Sequence, residues 1–113
     1  MQIDPQLSQE AGFNIPVVLT RAAWDDLVKW SRGSFNDETG RAWDVLNMCR
    51  NVARASLNDG RRRNFWMYRV PNLTKSGRPS TSCTAQRVQV SAVVQAWNAD
   101  GAACVTILLP EED

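Results

Sequence analysis

The stretch RAWDVLNMCRNVARASLNDGRRRNFWMYRV, residues 41–70, decides the fold. Its first half repeats apolar residues at helical spacing. Ala42, Val45, Leu46, Cys49, Val52 and Ala53 share one face, and Trp43 and Met48 widen it. Arg41, Asp44, Asn47, Asn51 and Arg54 occupy the other positions. This spacing predicts a helix that begins near Asp37 or Thr39, runs to about Ala55, and stops at the NDG of 58–60. The second half, RNFWMYRV, reads as a strand that Pro71 closes. Between them stand Arg61, Arg62 and Arg63, either a working surface or the solvated end of a turn.

Moving toward the C-terminus, residues 71–86 are polar and rich in breakers, which predicts a long loop or a flap between strands. RVQVSAVVQAW restores alternation. Val88, Val90, Ala92 and Val94 face one way, and Arg87, Gln89, Ser91 and Gln95 the other. NADG at 98–101 is a turn, and AACVTILL is the returning strand, with Ala103, Val105, Ile107 and Leu109 on one face. Pro110 stops it, and the EED that follows is expected to be solvated.

Toward the N-terminus, Thr20 is a good helix cap for RAAWDDLVKW, with Gly33 as the expected stop. Leu19 before the cap and Trp24 within the first turns suit a hydrophobic staple. FNIPVVL, residues 13–19, is a short strand or an extended arm, and Pro16 points to an edge position. Residues 1–12 form a polar N-terminal arm, and 13–113 form a single domain. The expected class is α+β: two helices packed on a small antiparallel sheet of about three strands, with a long polar loop.

Composition supports a folded core. The chain has 113 residues, 43% hydrophobic and 22% charged, and a net charge of +1. So balanced a charge does not steer the whole molecule to nucleic acid, and binding of that kind must come from local clustering. No basic start followed by an apolar run marks a secretion signal. No segment approaches the roughly 20 apolar residues of a membrane helix. Cys49, Cys83 and Cys104 are odd in number and widely spaced, so free thiols and a cytoplasmic location are expected, with Cys49 and Cys104 in the core.

Catalytic equipment is sparse. Histidine is absent, which removes the usual general base near neutral pH and the commonest metal ligand. The cysteines lack zinc-site spacing, and no phosphate-binding glycine loop or nucleophile elbow is present. SGRPSTSC offers hydroxyls and a thiol without a base to activate them. Asp44 can reach Arg41 one turn away, a boundary contact rather than a catalytic pair. No catalytic residue, metal ligand or cofactor is expected.

GFNIPVVLTRAAWDDLVKW, GRAWDVLNMCRNVARA, FWMYRVP and CVTILLPEED together resemble a small uncharacterised family encoded on bacterial plasmids, phages and integrated elements. That resemblance implies a mobile-element setting and no known enzyme activity. It assigns no residue a role.

The candidates that remain are arginines and aromatics. Part of the set Arg61, Arg62, Arg63, Arg69, Lys75, Arg78 and Arg87 is expected to gather near one sheet edge, with Trp66, Tyr68 and Trp97 nearby. Such a mixture suits a protein partner. The expected function is a non-enzymatic accessory protein that binds and masks a host protein or complex, with inhibition of a defence system as its sharper form. The alternative is a nucleic-acid-binding accessory protein that uses the same arginine and aromatic surface. A homodimer through an unpaired strand, either FNIPVVL or the C-terminal one, is a further expectation. No membrane partner is expected.

Overall fold

The computed structural model describes every residue except 35, 57–61, 97–102 and 113, and the side chains of 53–56 and 96 also lie outside the description. Helix α1, Pro5–Glu10, arises in the segment expected to be a polar arm. Pro5 supplies a preset φ at its start, and the Asp4 carboxylate accepts the Gln6 N–H at 2.9 Å. Gly12, at φ 97°, ends it. The Gly12 N–H reaches the Gln9 carbonyl, and the Phe13 N–H reaches back to the Ser8 carbonyl. This reversal turns Ile3, Ala11 and Phe13 into the main core.

Strand β1, Val17–Leu19, and helix α2, Arg21–Leu27, follow. Thr20 caps α2 as expected, its hydroxyl accepting the Ala23 N–H at 3.2 Å. The helix ends at Val28, well before Gly33. A buried side chain explains the early stop. Arg41 donates to the Val28 and Asp26 carbonyls, taking acceptors that another turn of helix would have used.

Helix α3, Glu38–Ser56, matches the expected span. The Asp37 carboxylate, just before it, accepts the Gly40 N–H. Ala42, Val45, Leu46 and Cys49 are buried, and Val52 packs beside them, so the apolar stripe faces the sheet.

Strands β2, Arg63–Arg69, β3, Gln86–Ala96, and β4, Ala103–Leu108, complete the domain. The sheet order is β1-β4-β3-β2. Strands β2, β3 and β4 pair antiparallel, and β1 runs parallel to β4 with Val18 opposite Thr106. Val17, Leu19, Phe65, Met67, Val90, Ala92, Val105 and Ile107 are buried with the helices. Among the described residues no helix is long and apolar enough to cross a membrane.

The expected fold of two helices and an antiparallel sheet of about three strands is therefore corrected. Among the described residues there are three helices, and four strands form a mixed sheet. The apolar run before Thr20 joins β4 in parallel, a pairing across most of the chain that no local pattern announces. It also moves the unpaired edge. β4 is internal, and the outer side of β1 meets residues 1–3 through a Gln2–Val18 bridge. The homodimer edges expected at FNIPVVL and at the C-terminal strand are both occupied, and the free edge is β2.

The polar stretch after β2 is folded onto the body. Leu73 bridges Pro79, and the Ser80 N–H bonds the Asn72 carbonyl. Arg32 donates to the Pro71 and Ser82 carbonyls, both at 2.7 Å. The buried Asn72 side chain accepts from the Ser31 N–H and hydroxyl.

Candidate binding surface on the open sheet face

The helices cover one face of the sheet. On the other, strand alternation brings up Asn64, Trp66 and Tyr68 from β2, and opposite them Ser91, Gln89 and Arg87 from β3, of which Ser91 is buried. Trp66 is 49% exposed and Tyr68 65%. Such exposure of large rings is not needed to fill a core, whose β2 contribution comes from Phe65 and Met67 on the opposite face.

Arg87 is the organising cation of this patch. It lies directly across from Tyr68, and its guanidinium stacks 4.3 Å from the centre of the diagonal Trp66 ring. A guanidinium at that range is attracted by the ring face and holds the indole in place. Ser91 donates to the Asn64 side chain, and Gln95 donates to the Thr106 hydroxyl farther along the face.

Among the described residues, the other expected members make no contact with this ring–cation pair. Arg62 donates to the carbonyls of Leu109, Pro110 and Glu112, so it clamps the C-terminal turn. Arg69 lies on the helix-facing side of β2, mostly buried. Its Nε and one terminal nitrogen reach the Asp26 carboxylate at 2.9 and 2.8 Å. Arg63 opens β2 on that same side and is half-buried. Lys75 and Arg78 are exposed around the turn where the Thr74 N–H bonds the Arg78 carbonyl. Arg61 and Trp97 lie outside the described residues.

The acidic end is not simply solvated. The Glu112 carboxylate accepts the Thr20 hydroxyl at 2.8 Å and the Leu109 N–H at 2.7 Å. Asp44 makes no ion pair with Arg41 among the described contacts, and partial burial raises its carboxyl above the ordinary value against the pull of Arg41. Arg41 itself is 3% exposed rather than on the polar face. Burial, and then repulsion from Arg69, lower its guanidinium below the usual range, while Asp26, Asp44 and Glu38 oppose that shift. The signal was present in the sequence, since Arg41 stands four residues before Val45 and eight before Cys49, on the buried stripe.

Charge is unevenly spread along the chain. From residue 61 to residue 99 there is no Asp or Glu, while Arg61, Arg62, Arg63, Arg69, Lys75, Arg78 and Arg87 all fall there. The segment that carries β2 and β3 is thus basic, and the carboxylates lie before and after it in the chain, with Asp59 and Asp100 at its two borders. The loop hydroxyls are engaged in local turns, Thr74 with Ser76 and Ser82 with Thr84. Among the described residues no group of three or more metal-binding side chains is present. No protein-family model, curated protein or solved structure matches the chain.

Proposed function

We propose that this protein is a non-enzymatic binding module that masks a host protein or complex, with the open sheet face around Trp66, Tyr68 and Arg87 as its working surface. The mobile-element setting, with a defence complex as the sharpest target, comes from the family resemblance. The observation that carries the reading is the exposed Trp66 ring held under Arg87, with Tyr68 alongside. Trp, Tyr and Arg are the side chains that most often dominate protein interfaces, and rings already held in place lose little freedom on binding. A segment from 61 to 99 that carries cations and no Asp or Glu suits a partner of acidic surface.

A second reading has its own support. Two rings at alternate positions of one strand, beside a cation and amides, also suit stacking by unpaired bases. Against it, Arg62 and Arg69 are engaged within the fold, which leaves fewer cations to follow a phosphate backbone.

Affinity capture from a bacterial lysate, with the native protein and a Trp66→Ser/Arg87→Ser variant, separates the two. A protein retained after nuclease treatment by the native chain alone supports masking of a protein. Retention that nuclease abolishes, with steep salt dependence, moves the function to nucleic acid. Equal retention by both chains removes this face as the site.

A further inference from the structure

We propose that the open face reads one carboxylate of the partner, an Asp or Glu side chain that meets the edge of the Arg87 guanidinium, with an apolar or aromatic neighbour set against Trp66 and Tyr68. The inference rests on the reading of the partner as a protein, and adds the group that the face recognises.

The arginines differ in what their N–H groups hold. Arg32, Arg41 and Arg62 donate to backbone carbonyls, Arg69 holds the Asp26 carboxylate, and Arg21 lies 4.0 Å from Asp25. Arg87 is exposed, and among the described residues the one partner of its side chain is the Trp66 ring. The ring takes a face of the guanidinium and leaves the N–H groups in its plane unengaged. It holds the cation without neutralising it. A planar fork held in this way loses little freedom when two of its N–H groups grip a carboxylate in parallel.

Charge selects the occupant. Asn64, Trp66, Tyr68, Gln89 and Ser91 are neutral, so Arg87 is the charged member of the three pairs that β2 and β3 present on this face. One fixed cation matches a monoanion. A phosphate monoester carries roughly two charges and would leave one unmet. A nucleic-acid strand repeats its charge at every nucleotide, and Arg62 and Arg69 are already engaged in the fold. A second copy stacked face to face about a two-fold axis brings another Arg87 and no carboxylate, because no Asp or Glu occurs from residue 61 to residue 99. Tyr68, directly across from Arg87 and 65% exposed, offers ring surface to the residue beside the carboxylate.

The test screens the full chain against a yeast-displayed library of random short peptides. The expected winners share one Asp or Glu next to an aromatic or aliphatic residue. The strongest is synthesised with its acid kept, or replaced by the matching amide, and titrated into the native chain and into Arg87→Gln. Either replacement should weaken binding about tenfold or more, as for a lost hydrogen bond to a charged group. Both together should weaken it little further, since they remove the same contact. Arg87→Lys should recover only part of the loss. Winners without an acid, additive losses or an absence of winners overturn the carboxylate. Displacement of the peptide by oligothymidylate at lower concentration than by free peptide overturns it in favour of nucleic acid. A dimer in sedimentation that Arg87→Gln dissolves overturns it in favour of a second copy. The amide peptide probes the contact without altering the protein, so a folding defect in Arg87→Gln cannot hide the answer. In the lysate capture, a partner lost with Trp66→Ser but kept by Arg87→Gln would sink the carboxylate alone and leave the face as the site.

Discussion

The Arg41 guanidinium lies 4.9 Å from the centre of the Trp30 ring, while its nitrogens donate to the carbonyls of Val28, Asp26 and Val70. One buried cation thus ties the end of α2, the start of α3 and the end of β2 together, without a direct carboxylate partner among the described residues. Its charge is met by carbonyl dipoles and a ring face.

Arg41→Met should therefore lower stability by several kcal/mol, roughly 1–3 kcal/mol for each carbonyl left buried without a donor. Arg41→Lys keeps the charge but cannot present the same planar fork, and should recover only part of the loss. Urea unfolding of the three proteins checks this. A midpoint for Arg41→Met close to that of the native chain would show that the three carbonyls are satisfied some other way.

The C-terminal turn is a second tie. Arg62 holds three of its carbonyls, and Glu112 receives the Thr20 hydroxyl that also caps α2. Arg62→Ser should cost about 1–2 kcal/mol, more than the ~0.5 kcal/mol typical of a surface charge. Thr20→Val should cost about 1–2 kcal/mol through the lost cap. In a double-mutant cycle, Thr20→Val and Glu112→Gln should be non-additive, since they share one bond. Additive losses would separate the latch from the cap.

At the open face the expectation is the opposite. Arg87→Ser should change stability by only about 0.5–1 kcal/mol, the worth of an exposed ring–cation contact, and Trp66→Ser by roughly 1–2 kcal/mol, since half of its ring is covered. Thermal melts of the single variants suffice. A loss of several kcal/mol would mean that this pair is structural, and capture experiments with it could not be read as binding.

The cysteines divide by burial. Cys83 is exposed, while Cys49 and Cys104 are buried. In the folded protein at pH 8 a maleimide should label Cys83 alone, and the other two only in denaturant. Burial pushes the Cys49 thiol up to about 12 from 9.0. The fold favours its protonated form, so this contribution to stability is whole below pH 9 and is lost as pH rises toward 12. Cys49→Ala should remove that part of the alkaline loss. An unchanged difference in stability between the two proteins across this interval would contradict the raised thiol.

Local pattern made much of the chain legible. The cap at Thr20, the span and buried stripe of α3, and the alternation of β2, β3 and β4 all follow from side-chain period and turn chemistry, which act over a few residues. That Trp66 and Tyr68 point away from the core was not part of that pattern, and it follows from which face of β2 the helices cover. What local pattern could not supply was partnership. Arg41, Arg62 and Arg69 look alike as sequence, but the first is buried among carbonyls, the second clamps the C-terminus and the third pairs with Asp26. A fourth, Arg87, came to rest on a ring of the open face. An arginine's role depends on which acceptors the fold brings within reach, and those lie as far as fifty residues away along the chain. The parallel joining of β1 to β4 has the same cause. It is settled when the helices bury one face of the sheet, and that choice also leaves β2 as the open edge.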